Sequence, residues 1–220
     1  MIYSANADTP HEEDWEKKTY NVDDFTEIYL EGGYKVYLTQ GNINSVTVKT
    51  DDDDVFDYLQ VKSNGNELRI DLEPDHFDFD RIVLYITFKK IDKLKIEGGV
   101  KLKTKGYLDL KDFEMYVAGG AKIELDIKAE DVEIFGEGGV LFELEGVARS
   151  LDIKVSGASH VDADKLKSKD VSIKIEGVGV GSVYATETLD ARIEGVGKVR
   201  YEGSPVVTKH IEGLGSVKRN

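Results

Sequence analysis

Apolar and polar residues alternate along most of the chain. In the segment 171–175, valine and isoleucine occupy positions 171, 173 and 175, and serine and lysine lie between them. A period of two is typical of a β-strand with one buried face, because successive side chains of a strand point to opposite sides. The segments between these strands lack the length and periodicity of an amphipathic helix. The pattern therefore predicts an all-β protein.

A glycine motif recurs between the alternating segments. It reads Glu-Gly-Val-Gly at 176–179 and 194–197, and Glu-Gly-Leu-Gly at 212–215. The first glycines of the copies lie 18 to 21 residues apart, at Gly98, Gly119, Gly138, Gly157, Gly177, Gly195 and Gly213. A near-constant period of this length is typical of stacked-repeat proteins. We predict that each repeat is a strand, a glycine corner, a second strand and a polar turn. Glycine suits the corner because a positive φ or close packing excludes a Cβ atom there.

The repeat predicts a β-solenoid, that is, a parallel β-helix with coils of about 18–21 residues. One coil cannot bury its apolar face alone, whereas stacked coils bury it against one another. We predict a single domain over 20–220, with wider coils over 20–92 and regular coils over 93–220. The Asn64-Gly65 pair predicts a hairpin within the wider coils. A separate small β-domain over 20–92 is the alternative. Residues 1–19 are expected to form a polar, poorly ordered lead-in.

Composition narrows the classes of partner and of site. The net charge of −14 disfavours nucleic acid as a partner. The chain has no cysteine, which excludes disulfides, thiolate metal sites and cysteine nucleophiles. It has no apolar run long enough for a transmembrane helix. The segment from Met1 to Lys18 lacks the apolar core of a signal peptide, so we expect any export signal or lipid anchor to lie outside this sequence.

A row of carboxylates precedes the corner glycines and is the first candidate site. Alternation places Glu176, Glu194 and Glu212 on the outer face, stacked one coil apart. Such a ladder suits Ca²⁺ or a cationic surface. Lys174 and Arg192 lie two residues upstream on the same face, and Lys95 and Lys154 occupy equivalent positions in earlier coils. We therefore favour mutual compensation of charge between the acidic and the basic row. The functional role that remains for Glu176, Glu194, Glu212, Lys174 and Arg192 is that of a binding surface.

The run Asp51 to Asp54 is the second candidate. It lacks the alternating spacing and the glycine of a calcium loop. We therefore favour a charged loop that keeps a sheet edge from pairing, with calcium binding as the alternative.

Catalytic carboxylates are the third candidate, since many β-helices are polysaccharide lyases or hydrolases. The nearest constellations are Asp162 and Asp164 with Lys165, and Asp126 with Lys128. They occupy different places in their coils, so they do not form one site, and we predict no catalytic residue. The four histidines, His11, His76, His160 and His210, share no metal-ligand spacing. We accordingly predict no metal and no cofactor.

Aromatic residues concentrate in the first third of the chain, at Tyr29, Tyr34, Tyr37, Phe77 and Phe79. Partly exposed tyrosines suit a carbohydrate-binding or protein-binding surface. Packing between the wider coils is the favoured interpretation.

Several motifs, in their order along the chain, carry a family resemblance. They are Phe25-x-x-Ile28-x-Leu30 with Val36-x-Leu38-x-Gln40-Gly41, the segment 63–70, the corner Ser156-Gly157-Ala158-Ser159, and the segment 201–206. Over about residues 20–218 the chain resembles the bacterial family called putative auto-transporter adhesin, or head GIN domain. At the corners this chain departs from the family by carrying glutamate for serine and valine or leucine for alanine.

The resemblance implies a right-handed β-helix-like fold. It also implies an exported protein of the kind found in Bacteroidetes, often with a signal peptide or lipoprotein anchor, and it brings no catalytic signature. We therefore expect a non-catalytic β-solenoid located in the periplasm, anchored to the outer membrane or at the cell surface. It would present a surface, in the manner of an adhesin, to a protein or carbohydrate of the cell envelope. A carbohydrate-active enzyme is the alternative, and self-association through open solenoid ends is a further expectation.

Overall fold

The computed structural model describes residues 15–72 and 81–220. Over these residues the chain is all-β apart from one short helix. The elements are β1 (Glu16–Tyr20), β2 (Glu27–Gln40), β3 (Ser45–Thr50), α1 (Val55–Tyr58), β4 (Leu59–Asn64), β5 (Glu67–Leu72), β6 (Ile82–Phe88), β7 (Lys93–Thr104), β8 (Leu108–Asp109), β9 (Asp112–Gly203) and β10 (Val206–Arg219). Across the described ranges, no helix is long and apolar enough to cross a bilayer.

The strands form one mixed sheet that does not close on itself. Its main path runs β1-β3-β6-β2-β7-β9-β10, while β5 pairs with β2 and β4, and β8 pairs with β9. The pairs at the N-terminal end, β1 with β3, β3 with β6 and β4 with β5, are antiparallel. From β2 onward the path through β7, β9 and β10 is parallel.

The parallel register follows the repeat in the sequence. Gly98 lies opposite Gly119, and Gly195 lies opposite Gly213, so equivalent corners face each other. The strand β9 is 92 residues long and contains several repeats. Corner glycines of successive repeats lie close together, since a Cβ added to one of them would meet the backbone of the glycine paired with it.

The seven corner glycines share one conformation. Their φ angles lie between 95° and 127°. A Cβ atom added to any of them would lie 2.2 to 2.7 Å from a carbonyl oxygen, which belongs to Gly32 in the case of Gly98 and to the preceding corner glycine in the other six. A side chain is therefore excluded twice, by backbone conformation and by the neighbouring chain.

The inward apolar residues of the alternating segments form the core, as the sequence predicts. Inward residues such as Ile173, Ile175 and Ile193 are fully buried, and the apolar cluster runs from Phe25 to Val217. Phe142 is also fully buried, and the tip of its ring lies over the backbone of Gly136.

The N-terminal part differs from the sequence expectation in two places. Residues 16–19, which the sequence analysis placed in the lead-in, belong to β1, where Thr19 and Thr47 are joined by a 3.0 Å hydrogen bond between their hydroxyls. Strand β1 is mostly exposed, so backbone pairing holds it and apolar periodicity does not reveal it. The second difference is α1, a one-turn helix after the aspartate run, in a chain that the sequence predicts to be all-β. The predicted hairpin is confirmed, since β4 and β5 pair across a turn in which Gly65 has a φ of 63°.

The tyrosines of this part are largely packed. Tyr34 is fully buried and its hydroxyl donates to the carbonyl oxygen of Glu31 at 2.6 Å. Tyr29 is buried as well, and Tyr37 stacks on Tyr85 with ring centroids 5.2 Å apart. Phe77 and Phe79, together with His11 and His76, lie outside the described residues.

Candidate functional site

Three parallel rows of outward side chains run along the sheet and together form what we call the outer face. The central row is Arg69, Tyr29, Lys95, Tyr116, Phe135, Lys154, Lys174, Arg192 and His210. The corner-side row, two residues later in each repeat, is Asp71, Glu31, Glu97, Ala118, Glu137, Ser156, Glu176, Glu194 and Glu212. The leading row, two residues earlier, is Glu67, Glu27, Lys93, Glu114, Glu133, Asp152, Ser172, Asp190 and Thr208. Cations and aromatic rings thus lie between two rows rich in carboxylates.

An aromatic pair lies at the middle of the central row. The rings of Tyr116 and Phe135 stack with centroids 4.7 Å apart and planes inclined by 9°. Lys93 Nζ lies 4.9 Å from the Tyr116 ring centre, and Lys154 Nζ lies 5.0 Å from that of Phe135. Ammonium groups near aromatic rings at this distance are attracted by the ring quadrupole. The pair is therefore held between cations, and ring edges are left toward solvent.

Tyr29 occupies the same row nearer the N-terminus. The Arg69 guanidinium lies 4.0 Å from its ring centre and Lys95 Nζ lies 4.7 Å away. Its hydroxyl donates to a carboxylate oxygen of Glu31 at 3.1 Å. Burial, followed by hydrogen bonds to Glu97 and Glu31, raises the pKa of Tyr29 to about 12. The hydroxyl therefore stays protonated and acts as a donor at physiological pH.

Lys174 links two carboxylates of successive repeats. Its ammonium binds Glu176 and also Glu194, the latter at 3.0 Å, and these hydrogen bonds raise the pKa of Lys174. Arg192, by contrast, binds Asp190 of the leading row at 2.8 Å. His210 Nε2 lies 2.8 Å from a carboxylate oxygen of Glu212. The five residues singled out from the sequence therefore lie on one face, but Arg192 binds Asp190, the residue two positions before it in the leading row, rather than a glutamate of the corner-side row.

A groove opens in the outer face where the corner-side row lacks long side chains. Ala118 and Ser156 lie on either side of Glu137 in that row. The groove encloses about 510 Å³ and its lining includes Tyr116 and Phe135. Glu133 and Glu137 flank Phe135 on the same strand, and within residues 15–72 and 81–220 neither has an ion-pair partner.

The aspartate run is partly engaged in local contacts. Asp51 accepts hydrogen bonds from Arg81, whose guanidinium lies 2.6 Å away. The carboxylates of Asp52, Asp53 and Asp54 lie within 4.8 Å of one another, and the Asp54 amide donates to Asp52. The run leads directly into α1.

The carboxylates considered for catalysis are arranged as a close pair. Asp162 and Asp164 point to the same side of β9, and burial, followed by the charge and hydrogen bond of Asp162, raises the pKa of Asp164. Lys165 binds Glu145 at 2.7 Å. Lys128 binds Asp109 at 3.2 Å, so it does not complete a site with Asp126.

Replacing Asp164 by asparagine is expected to stabilise the protein at neutral pH by about 0.5 kcal/mol, the scale of a like-charge pair across a sheet. The folded chain binds the Asp164 proton more tightly than the unfolded chain does, so stability falls as pH rises above the ordinary value of 3.8. The gain should therefore vanish at and below pH 3.8. Thermal melts at a series of pH values measure this, with Asp170→Asn as the control. An unchanged gain in acid would contradict a raised pKa of Asp164 in the folded chain.

The family described as "putative auto-transporter adhesin, head GIN domain" matches residues 24–205. The chain belongs to this family. No curated protein sequence matches. Family membership agrees with a surface protein that binds another molecule.

Solved structures of similar fold extend the comparison. A putative adhesin from Bacteroides fragilis is 22% identical, with a TM-score of 0.85, and the match covers 94% of this chain and 97% of that one. A putative adhesin from Parabacteroides distasonis is 21% identical with a TM-score of 0.69, covering 94% and 97%. A putative lipid binding protein from the same organism is 22% identical with a TM-score of 0.68, covering 94% and 96%. At these identities the likeness establishes the fold.

The aromatic pair and the leading row were missed in the sequence. Tyr116 and Phe135 occupy the repeat position that holds lysine in neighbouring repeats, as at Lys95 and Lys154. Aligning the repeats by their corner glycines, rather than searching for aromatic clusters along the chain, would have placed them side by side.

Proposed function

We propose that this protein is a non-catalytic, exported binding module, adhesin-like or associated with the cell envelope. We propose further that residues 20–220 form one right-handed parallel β-helix, with wider coils over 20–92 and regular coils over 93–220, to which β1 (Glu16–Tyr20) adds an antiparallel strand. Two observations support this architecture: the parallel strands pair equivalent residues of successive repeats, and the corner glycines stack on one another.

The observation that carries the functional proposal is the continuity of the outer face. Its rows extend from Arg69 to Glu212 without interruption by a loop among the described residues. Hydrogen bonds from Lys95 and Tyr29 lower the pKa of Glu97, and a hydrogen bond from Tyr116 lowers that of Glu114. These groups remain charged over a wide pH range. Fixed charges suit recognition, whereas general acid–base chemistry needs a pKa near the working pH.

The enzyme alternative has weaker support. Asp162 and Asp164 lie two residues apart on the same face of β9. Glycosidases hold two carboxyl groups about 5–9.5 Å apart around the scissile bond, and a lyase needs a cationic base. Lys165, the lysine next to this pair in sequence, binds Glu145 at 2.7 Å rather than either aspartate.

The proposed partner is a protein or carbohydrate at the cell envelope, and the proposed location is extracytoplasmic, in the periplasm, on the outer membrane or at the cell surface. Glu176, Glu194, Glu212, Lys174 and Arg192 would form part of the contact surface. A second copy is a further proposed partner, because β10 is the last strand of the sheet path and its outer edge has no partner strand among the described residues.

Surface plasmon resonance of the purified chain over immobilised bacterial envelope vesicles and mucin-type glycoprotein tests the proposal. We expect retention on at least one of them, and we expect Lys174→Glu with Arg192→Glu to weaken it about tenfold, because these changes break the pairs with Glu176, Glu194 and Asp190 and alter the charge pattern of the contact surface. Lys128→Glu with Lys165→Glu, which reverses two exposed charges outside the three rows, is the matched control.

Two results would contradict the proposed function. One is the absence of retention on every surface. The other is release of unsaturated or reducing sugars when the chain is incubated with polysaccharides, which would favour the enzyme alternative.

A further inference from the structure

We propose that the groove beside Phe135 and Glu137 receives a lysine or arginine side chain from a basic segment of a partner protein. This inference rests on the proposed binding function and assigns the chemistry of the partner.

The charge of the outer face points to a cationic partner. Carboxylates outnumber lysines and arginines over the three rows, in keeping with the net charge of −14. The cations that line the groove are already engaged. Lys95 binds Glu97 at 2.6 Å, and Lys154 binds Asp152 at 3.0 Å. An anionic ligand would have to break these pairs, whereas a cationic ligand would not.

Two carboxylates are left over near the groove: Glu137 lines it, and Glu133 lies two residues before Phe135 and lines a neighbouring pocket. Glu133 and Glu137 are both exposed, and among the described residues neither is engaged in an ion pair. They lie two residues before and two residues after Phe135, so all three side chains point to the same side of the strand. A cationic group in the groove would therefore have a carboxylate on each side along the strand direction.

The composition of this repeat explains why Glu137 has no ion-pair partner among the residues that the structure describes. In other repeats the glutamate of the corner-side row binds a lysine of the central row, as in Lys95 with Glu97 and Lys174 with Glu176. In the repeat of Glu137 the central position is Phe135, and Lys154 of the next repeat binds Asp152 instead. The neighbours of Glu137 in its own row, Ala118 and Ser156, are short and leave space beside it. The resulting space of about 510 Å³ admits a long side chain.

The aromatic pair suits the stem of such a side chain. Tyr116 and Phe135 stack on each other, and their ring edges border the groove. Lysine and arginine bury their methylene stems against apolar surface while the charged group stays near water and carboxylates. A flat sugar ring would instead need an open ring face, and here Lys154 lies over that of Phe135.

Fluorescence anisotropy with a labelled peptide of alternating glycine and lysine tests the inference. We expect the peptide to bind the full chain, with affinity falling as salt rises. The same peptide with every lysine Nε-acetylated should bind at least about tenfold more weakly, because it keeps length and stem but loses charge. Replacing both Glu133 and Glu137 by glutamine should weaken binding about three- to tenfold, the scale of two exposed ion pairs.

Two further variants make the test specific to the groove. Ser156→Lys places an ammonium beside Glu137 within the chain and should weaken peptide binding as much as the double glutamine change. Glu130→Gln removes an exposed carboxylate outside the three rows and should leave the affinity unchanged. All these positions are at the surface, so circular dichroism should show the same fold.

The outcomes separate this inference from the proposed function. Retention on envelope or mucin surfaces without peptide binding would overturn the inference alone. Equal peptide binding by Glu130→Gln, Ser156→Lys and the double glutamine variant would also overturn it, because attraction would then come from net charge. Binding of the acetylated peptide as tightly as the charged one would indicate a groove for neutral ligands and would likewise overturn it.

Discussion

Replacing Gly119 by alanine is expected to lower the free energy of unfolding by about 3 kcal/mol or more, whereas Gly120→Ala should leave it unchanged or slightly higher. Gly119 has a φ of 122°, and an added Cβ would lie 2.4 Å from the carbonyl oxygen of Gly98. A backbone conformation of this kind costs a non-glycine residue about 1–3 kcal/mol. The clash adds to that cost, because the oxygen belongs to backbone that pairs with the next strand.

Gly120 is the matched control for the corner. It is adjacent in sequence, but a Cβ there would meet nothing within 4 Å and its φ is not in the left-handed region. Alanine also restricts the unfolded chain, which stabilises by about 0.4–1 kcal/mol where the conformation is compatible. Urea denaturation of both variants measures the difference through the midpoint. Equal destabilisation by the two changes would refute the role of the corner.

The second large effect is expected in the core. Phe142→Ala should cost about 3–5 kcal/mol, the range for removing a buried aromatic ring. Phe142 is fully buried, and its Cε2 atom lies 2.9 Å from the place of a Cβ at Gly136. The absence of a side chain at position 136 therefore makes room for the ring. Gly136→Ala should in turn cost about 1–3 kcal/mol through overpacking.

The double variant distinguishes this account from general fragility of the core. If the ring and the glycine share one space, Gly136→Ala combined with Phe142→Leu should cost less than the sum of the two single changes. Denaturation of the four proteins in the cycle measures the coupling energy. Strict additivity would show that Gly136 is required for some other reason. Ile153→Val, a smaller deletion in another repeat, should remain additive with both.

Much of the fold could be predicted because one physical rule repeats along the chain. Alternation at 171–175 predicts the inward side chains directly, since an extended strand has no other way to divide its residues between two faces. The Asn64-Gly65 turn is similarly local. Strand β1 could not be predicted, because its residues are exposed and its partner, β3, is distant in sequence.

The candidate site was predicted less completely. Alternation places Lys174 and Arg192 on the outer face. Each of them has more than one acidic residue nearby, either on its own strand or on the paired strand of the next repeat. Lys174 binds Glu176 and Glu194, whereas Arg192 binds Asp190. Such choices between near-equivalent partners depend on side-chain reach and geometry. The groove was missed for a related reason, since it arises from two short residues in different repeats, Ala118 and Ser156.

The separation of inward and outward positions has a consequence for how this family can change. A substitution on the outer face alters one step of the surface, about 4.8 Å along the sheet, and leaves the residues that pack the core untouched. Residues of the three rows can therefore change in charge or shape without repacking of the core, while ion pairs such as those of Lys174 couple neighbouring positions. The 22% identity that accompanies a TM-score of 0.85 with the Bacteroides fragilis adhesin is what such freedom permits. The outer face of this fold can therefore diverge in charge and shape while the fold is kept.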